Sequence, residues 1–259
     1  MLIKISNLSF KYDKKSAKTV LNDVNLEIKE GTVNVLLGLN GCGKTTLIKL
    51  LAGLEKPLEG IIQYGDDDLQ KLSYRKRAKI FSYVPQQANV TNDVPVKQYL
   101  SYGTTNTLAF YEHPGKKEME RVYEVAKKLN ISHLLDKNLG EISGGELQIV
   151  LIACALIQGT EIMLLDEPTS ALDMKNQNMV LSILKNIAKE ENKTIILSSH
   201  NPNNAQFLNA HVILINEGTI KDQGDSESII TVDKLSNIYG DAICYTDELG
   251  YREISFKEK

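Results

Sequence analysis

The residues with the clearest chemical potential form a short loop, rich in glycine and hydroxyl groups, directly after the apolar run Val33–Leu37. The pattern G-x-x-x-x-G-K-[ST] binds phosphate when it joins a strand to a helix, and both are predicted here. Outside that setting, the same residues are consistent with a turn that binds nothing. The sequence therefore predicts a site for a nucleoside triphosphate. The loop consists of Gly38, Leu39, Asn40, Gly41, Cys42, Gly43, Lys44, Thr45 and Thr46.

Each residue type in this loop suits a chain of charged phosphates. Glycines allow consecutive backbone N–H groups to point inward, and the start of the following helix adds unpaired N–H groups and the positive end of its dipole. Lys44 supplies a mobile positive charge for the outer phosphates. The hydroxyl of Thr45 suits Mg²⁺, a hard ion that prefers oxygen ligands. We therefore expect the triphosphate to bind together with Mg²⁺.

Two neighbouring acids, Asp166 and Glu167, follow the apolar run Ile162–Leu165. In open α/β sheets, ligands bind at the carboxyl ends of strands, and a buried strand ending in acids brings them to that edge. We expect Asp166 to hold Mg²⁺ through water. Glu167 leaves the strand on a different side, so it is the candidate general base for a water beside the γ-phosphate. On its own, an Asp-Glu pair would indicate no more than a solvated strand end.

A second candidate anion site lies at another predicted helix start, where Ser143, Gly144, Gly145 and Glu146 precede the apolar run Ile149–Ile157. Ser is a good helix cap, and capping alone would explain Ser143. It would not explain two adjacent glycines, which cost backbone entropy. The pattern therefore indicates a second device for binding a negative group.

Taken in order, these motifs resemble those of the ATP-binding-cassette (ABC) ATPases, and the resemblance covers almost the whole chain. It makes Ile142–Glu146 the signature motif. It also implies site residues outside the motifs named so far. These are the adenine-stacking aromatic Tyr12, the glutamine-loop residue Gln86, the D-loop residue Asp173 and the switch histidine His200.

The resemblance assigns a role to each group of residues, with ATP and Mg²⁺ as the bound species. Catalysis is expected from Lys44, Gln86, Glu167 and His200. Mg²⁺ contacts are expected from Thr45, Gln86 and Asp166. Nucleotide contacts are expected from Tyr12, Gly38, Asn40, Gly41, Cys42, Gly43, Lys44, Thr45, Thr46, Ser143, Gly144, Gly145, Glu146 and Asp173.

In the resembled family, the signature of one subunit closes over the phosphate loop of another. This chain has one loop and one signature, so a head-to-tail pair would complete two sites. The second subunit would be another copy or a related cassette. Ser143 and Gly145 would then face the γ-phosphate bound by the partner.

Size and composition fit one well-buried α/β domain, since the chain has 259 residues, 42% of them hydrophobic, and a net charge of −3. An isoelectric point of about 5.9 argues against nucleic-acid binding through a basic surface. The longest apolar stretch, Ile149–Ile157, is shorter than the roughly 20 residues that span a bilayer. Met1–Lys4 predicts a strand rather than a secretory signal. The spacing of Cys42, Cys154 and Cys244 suggests no metal site or disulfide, which favours a reducing cytoplasm.

The apolar patterns predict an α/β fold with a P-loop NTPase core. Alternation over residues 2–12 and 20–28 indicates a small antiparallel sheet. Continuous apolar runs indicate a central, mainly parallel sheet, and a hairpin is expected near its end. The parallel strands are predicted at Val33–Leu37, Phe81–Val84, Ile162–Leu165 and Thr194–Ser198, and the hairpin strands at His211–Asn216 and Thr219–Gln223. Helices are predicted at Val96–Tyr102, Lys116–Leu129, Lys175–Glu191 and after the signature.

We expect a single ABC ATPase domain over residues 1–259. Residues 1–87 and 159–225 would form the nucleotide-binding core with the antiparallel β-subdomain. Residues 88–158 would form an inserted α-helical subdomain carrying the signature, and residues 226–259 a C-terminal tail.

Weaker resemblances point to a subfamily. Residues 94–103, 173–177 and 224–240 resemble segments of importers for iron–siderophore, haem and cobalamin. A metal-chelate importer would place this chain at the cytoplasmic face of the cell membrane, beneath transmembrane permease subunits whose alternating access it drives. An extracytoplasmic substrate-binding protein would act indirectly, and the transported substrate would be chosen by these partners. An exporter ATPase, a soluble ABC protein and a binding module with little hydrolysis are the alternatives.

Three positions depart from the family pattern. Ile149 and Cys154 stand where arginine is usual, and Asn201 stands where aspartate follows the switch histidine. These departures bear on the ATPase rate and on the packing of the signature helix.

Two local expectations complete the sequence analysis. Cys42 lies beside Lys44 and a helix start, surroundings that lower a thiol pKa, although a small filler residue is the alternative. The family resemblance further implies that the segment Gln87–Tyr102 lines a groove for a short cytoplasmic helix of the permease.

Overall fold

The computed structural model describes residues 2–13, 17–106, 112–240, 243–248 and 251–256, and beyond residue 240 it describes the side chain of Ile254 alone. Met1 and the Cys244 side chain therefore lie outside the described part. The strands are β1 Ile3–Phe10, β2 Leu21–Ile28, β3 Val33–Leu37, β4 Glu59–Tyr64, β5 Asp67–Asp68, β6 Phe81–Val84, β7 Ile162–Leu165, β8 Thr194–Ser199, β9 His211–Asn216, β10 Thr219–Asp225, β11 Ile243–Glu248 and β12 Tyr251–Phe256.

The helices lie mostly between the strands and on both sides of the signature motif. Short 3₁₀ turns occur at Leu69–Lys71, Tyr102–Thr104, Ser132–Leu134 and Leu139–Glu141. The α-helices are α1 Lys44–Ala52, α2 Tyr74–Ile80, α3 Val96–Ser101, α4 Lys116–Lys128, α5 Gly144–Ile157, α6 Met174–Glu191, α7 Pro202–Phe207, α8 Ser226–Ile229 and α9 Val232–Tyr239.

Two larger sheets organise the fold. The first is antiparallel, with the strand order β2-β1-β4-β5. The second has the order β10-β9-β3-β8-β7-β6, and its pairs are parallel except for the β9–β10 hairpin. These sheets confirm the predicted α/β class with a mainly parallel central sheet and a small antiparallel sheet. A separate hairpin, β11–β12, follows α9.

The central strands are apolar along their whole length because both faces of the sheet are covered. In β7, Met163 and Leu165 belong to one core cluster, whereas Ile162 and Leu164 belong to the other. Successive side chains of a strand point to opposite faces, so one strand contributes to two cores. One core lies against α5 and α6, and the other lies against α1 and the antiparallel sheet. Both cores hold the strand ends in fixed positions.

Most predicted elements occur within a few residues of their expected bounds. The sequence analysis did not identify β4, β5, the C-terminal hairpin or the helices α7, α8 and α9. In β4 one isoleucine is buried and its neighbour Ile61 is 47% exposed, and flanking glycine and acidic residues hide the short alternation. Within the described ranges, none of the helices is both long enough and apolar enough to traverse a membrane.

Candidate active site

The carboxyl ends of four neighbouring parallel strands carry the candidate residues. The phosphate loop follows β3, Gln86 lies just beyond β6, Asp166 and Glu167 follow β7, and His200 follows β8. Because these strands are adjacent in the sheet, their ends bring residues from distant parts of the sequence to one edge.

The phosphate loop is shaped by its glycines. Gly43 caps α1 with φ of 110°, a conformation that disfavours side chains. At Gly38, a Cβ atom would lie 2.1 Å from the backbone oxygen of Ile215, so this glycine is required for packing against β9. Lys44 is 4% exposed, and its Nζ donates to the backbone oxygens of Gly38 and Leu39 at 2.9 and 3.0 Å. The ammonium group is thereby held at the mouth of the loop.

A hydroxyl–carboxylate pair lies beside the lysine. Thr45 Oγ1 donates to Asp166 Oδ1 at 2.9 Å, and Ser198 Oγ donates to the same oxygen at 2.8 Å. Asp166 is 2% exposed. A buried carboxylate next to a hydroxyl is a donor set that fits Mg²⁺, which prefers oxygen ligands and keeps several waters.

Glu167 is the centre of the contacts at this edge. Its Oε1 lies 3.3 Å from Lys44 Nζ, and its Oε2 lies 3.4 Å from both His200 Nδ1 and Gln86 Nε2. Its backbone has φ of 45°, and its N–H donates to Ser198 Oγ at 2.8 Å. The turn of the backbone here directs Glu167 and Asp166 to different sides. The structure thus brings together the four residues predicted for catalysis.

A cavity of about 880 Å³ opens in front of this edge, and Tyr12 stands at its rim. The Tyr12 ring is 58% exposed and packs edge-on against Phe10 with centroids 4.9 Å apart. Its hydroxyl lies 3.1 Å from Thr46 Oγ1, directly over the phosphate loop. The cavity is lined by Tyr12, Asp13, Lys18, Thr19, Val20, Asn40, Gly41, Gly43, Lys44, Thr45, Thr46, Gln86, Glu167, Glu217 and Gly218.

Comparison with known proteins decides the family. Residues 21–170 match the family model described as ABC transporter. The chain belongs to the ABC transporter family. It is an ATP-binding cassette that hydrolyses ATP.

Named relatives and solved structures agree with this assignment. The ferric enterobactin transport ATP-binding protein FepC of Escherichia coli is 32% identical over 222 residues, covering 86% of this chain and 82% of that protein. The iron(3+)-hydroxamate import ATP-binding protein FhuC of Bacillus subtilis is 29% identical, and the match covers 89% of this chain and 86% of that protein. A putative metal-chelate type ABC transporter in an inward-facing conformation superposes with a TM-score of 0.84 at 26% identity. The match covers 98% of this chain and 96% of that chain. A cassette in a dimeric post-hydrolysis state bound to ADP and Pi gives a TM-score of 0.77 at 26% identity, covering 87% of this chain and 99% of that chain.

The signature of this cassette differs from the expectation of an unused anion site. Ser143 and Glu146 form a capping box: the Ser143 N–H and Oγ both donate to Glu146 Oε2 at 2.8 Å, and the Glu146 N–H donates back to Ser143 Oγ. Bonds from the Ser143 backbone and hydroxyl lower the pKa of Glu146. The polar groups of Ser143 are therefore engaged within the chain, with a carboxylate beside them.

The two signature glycines face different surroundings. A Cβ atom on Gly144 would meet nothing within 4 Å, whereas one on Gly145 would lie 2.6 Å from the side chain of Asn176. Asn176 in turn donates through its backbone and side chain to Asp173, which caps α6. A side chain introduced at position 145 would therefore collide with Asn176 rather than project toward a partner. Gly145 packs against Asn176 in the first turn of α6, the helix that Asp173 caps.

The expectation of a lowered pKa at Cys42 is also wrong. Burial raises the pKa of this thiol, and the opposing influence of Lys44 is smaller. Cys42 is 6% exposed and belongs to the core beneath the loop, while its backbone oxygen accepts from the Gly218 N–H at 3.0 Å. The filler alternative is the correct one, because the side chain points into the core.

The three residues that depart from the family pattern each make defined contacts within the fold. Ile149 is 3% exposed within the core around α5. The Cys154 thiol lies 3.6 Å from the backbone oxygen of Tyr99, and burial raises the pKa of Cys154 to about 11. Asn201 caps α7 by accepting from the Asn203 N–H at 3.0 Å. Each substituted residue has a structural role of its own.

A groove lies beyond the glutamine loop, with a volume of about 380 Å³. It is formed largely by the segment expected to line a permease groove, and Tyr102 at its rim is 47% exposed. Its lining residues are Pro85, Gln87, Ala88, Asn89, Val90, Thr91, Val94, Tyr99, Tyr102 and Leu139.

Two site residues were missed by the sequence analysis. Ser198 joins Asp166 to the backbone of Glu167, and its place before a strand-end histidine was the available signal. Tyr239 donates from its hydroxyl to the backbone oxygen of His200 at 3.1 Å. Tyr239 lies within the importer-like segment 224–240, but nothing in that pattern indicates a contact with His200.

Proposed function

We propose that this chain energises the import of a metal chelate such as an iron–siderophore, haem or cobalamin, at the cytoplasmic face of the membrane. Relatives named for ferric enterobactin transport and iron(3+)-hydroxamate import, and a solved metal-chelate type transporter, support this substrate class. The partners would be permease subunits and, indirectly, an extracytoplasmic substrate-binding protein.

The observation that carries the catalytic part is the position of Glu167 among Lys44, Gln86 and His200. Lys44 would move from the loop oxygens to the β- and γ-phosphates of ATP, and Tyr12 would turn onto the adenine. Asn40, Gly41 and Thr46, with the rest of the loop, would contribute backbone and hydroxyl donors. Glu167, released from Lys44, would then accept the proton of the attacking water. His200 and Gln86 would hold Glu167 and this water in line with the γ-phosphate.

Mg²⁺ fits the oxygen donors of Thr45 and Asp166, with Gln86 nearby, and when bound it would offset the charge of the β- and γ-phosphates. We further propose a head-to-tail dimer, of two copies or with a related cassette, in which Ser143, Gly144 and the backbone of Gly145 approach the γ-phosphate of the partner. Residues 88–158 would present the signature, residues 1–87 and 159–225 would hold the nucleotide, and residues 226–259 would form a tail.

The catalytic proposal predicts that Glu167→Gln slows ATP turnover by about 10²- to 10⁴-fold while ATP still binds. The substitution keeps the shape but removes the base, so the variant should accumulate as an ATP-bound dimer in sizing experiments. Glu190→Gln is the control, because Glu190 pairs with Lys128 at 3.2 Å far from the site. Near-normal turnover by Glu167→Gln would reject Glu167 as the base.

The transport proposal predicts that affinity purification from native membranes recovers a polytopic permease. Tyr102→Ala in the groove should lose that partner and leave the ATPase rate of the isolated chain unchanged. Tyr123→Ala is the matched control, since Tyr123 is an exposed tyrosine of the same helical segment outside the groove. Recovery of soluble partners alone, unaffected by Tyr102→Ala, would favour a soluble ABC protein instead.

A further inference from the structure

The C-terminal segment reaches the active site through Tyr239, the last residue of α9. Its hydroxyl donates to the backbone oxygen of His200 at 3.1 Å, while the His200 imidazole lies 3.4 Å from Glu167. His200 stands between the end of β8 and the start of α7, where no regular element fixes its backbone. The Tyr239 phenol therefore restrains a residue whose side chain contacts the candidate base.

Tyr239 is itself held in place by its helix. Leu235 and Ile238 of α9 are 0% and 8% exposed in the core shared with α5 and α6. At the other end, Thr231 caps the helix, and Lys234 pairs with Asp222 of β10 at 2.6 Å. An anchored helix gives the phenol a fixed direction.

The surroundings of Tyr239 favour the protonated phenol, which is the form that donates this hydrogen bond. Burial raises the pKa of Tyr239, and the nearby thiol of Cys42 and carboxylate of Glu167 raise it further. A neutral hydroxyl can donate to a backbone oxygen, whereas a phenolate could not.

A second contact joins the tail to the residues after the switch histidine. Asn203 of α7 pairs with the backbone of Ile254 in β12: its Nδ2 donates to the oxygen at 3.2 Å, and its Oδ1 accepts from the N–H at 2.9 Å. The next residue, Asn204, donates to Ser199 and Thr169 at 3.2 and 3.3 Å. Thus α7 is held on one side by the tail and on the other by the turn that follows Glu167.

We propose that Tyr239 is a positioning residue for ATP hydrolysis, acting through the backbone of His200 to aim the imidazole at Glu167. The C-terminal segment is then part of the catalytic apparatus rather than an appendage. This inference rests on the proposed roles of His200 and Glu167.

Tyr239→Phe tests the inference because it removes the hydroxyl and keeps the ring. We expect kcat to fall about three- to tenfold, the equivalent of one hydrogen bond, with KM for ATP unchanged. Tyr64→Phe is the matched control, since the Tyr64 hydroxyl also makes a defined bond, to Glu161, away from the site. Melting temperatures of both variants should match that of the unsubstituted chain to within a few degrees.

A double-mutant cycle separates positioning from general packing. In a His200→Ala background, measured by single turnover, Tyr239→Phe should cause no further loss. Asn203→Ala, which removes the Ile254 pairing, should lower kcat in the same direction as Tyr239→Phe. An unchanged kcat for Tyr239→Phe, or an equal loss with and without His200, would overturn the inference. A chain that hydrolyses no ATP would instead contradict the proposed function itself.

Discussion

The cassette contains two helix N-termini of the kind that bind anions. They differ in side-chain capping and in the charge of the first turn. At α1, no side chain within the described ranges caps the helix, and its first turn carries Lys44 and no acid. At α5, Ser143 and Glu146 cap each other, and the first turn carries a carboxylate. Both are glycine-rich and both begin a buried helix.

The difference shows that a helix N-terminus can bind a ligand when the N–H groups of its first turn have no hydrogen-bond partner within the chain. The N–H groups of the first turn have no partner in their own helix and must be satisfied by caps, water or ligands. At α1 no side chain in the described part of the chain caps the helix, so under the proposed function its loop would bind nucleotide in the isolated chain. The signature engages the N–H groups of Ser143 and Glu146 in its own capping box and carries a carboxylate beside them. Under the proposed function, it would therefore contact a phosphate only when a partner cassette presents one.

The largest expected effect on nucleotide binding lies at the α1 site. Lys44→Ala should weaken binding of ATP with Mg²⁺ by about ten- to a hundredfold, because charged hydrogen bonds are worth roughly 1.5–3 kcal/mol. Titration calorimetry with the isolated chain measures this. Lys49→Ala is the control on the same helix, outside the loop. Unchanged affinity in Lys44→Ala would remove the contrast between the two helix starts.

Next in size is an effect on assembly alone. Gly144→Asp places a carboxylate in open space at the signature, so it should abolish the ATP-driven dimer of the Glu167→Gln chain and leave ATP affinity nearly unchanged. Sizing with ATP measures the dimer. Gly145→Asp should behave differently, because its side chain would collide with Asn176 and lower the melting temperature. A normal dimer with Gly144→Asp would rule out the composite site.

The smallest effect sharpens the comparison. Glu146→Gln retains a capping box but removes the charge beside Ser143, so half-maximal dimerisation should need about two- to fivefold less ATP, roughly 0.4–1 kcal/mol. Glu141→Gln is the control, since Glu141 forms a similar box with Asn138 at 2.7 Å and lies outside the signature. If Glu146→Gln required more ATP, the carboxylate would be helping closure rather than opposing it.

Much of the fold could be predicted because each local pattern has a direct physical cause. The run Val33–Leu37 is apolar throughout because both of its faces are buried, and Gly43 is required by its positive φ. The central sheet followed from the apolar runs, and Lys44 and Glu167 were placed at the ends of parallel strands. Gln86 and His200 were identified only through the family resemblance. In contrast, β4 carries one buried and one exposed isoleucine, so its alternation is too weak to identify.

The remaining features depend on tertiary contacts that no local pattern encodes. The Cys42 pKa was predicted from Lys44 and a helix start, but burial against the core is the larger influence. The space beside Gly145 is occupied by Asn176 on another helix, which its position in the sequence does not reveal. Tyr239 approaches His200 because α9 packs on the core, and these residues are far apart in sequence. The spacing of residues in the sequence does not reveal how deeply a side chain is buried or which distant residues pack against it.

The packing of Ile149 and Cys154 also limits the paths by which this chain can change. Restoring arginine at position 149 would put a guanidinium group where the side chain is 3% exposed, and an unpaired buried charge costs several kcal/mol. The surrounding core would have to acquire a partner first, so return to the usual family residue requires concerted substitutions. Position 149 thus belongs to the interior of this cassette, and a charged side chain has to enter it together with a partner.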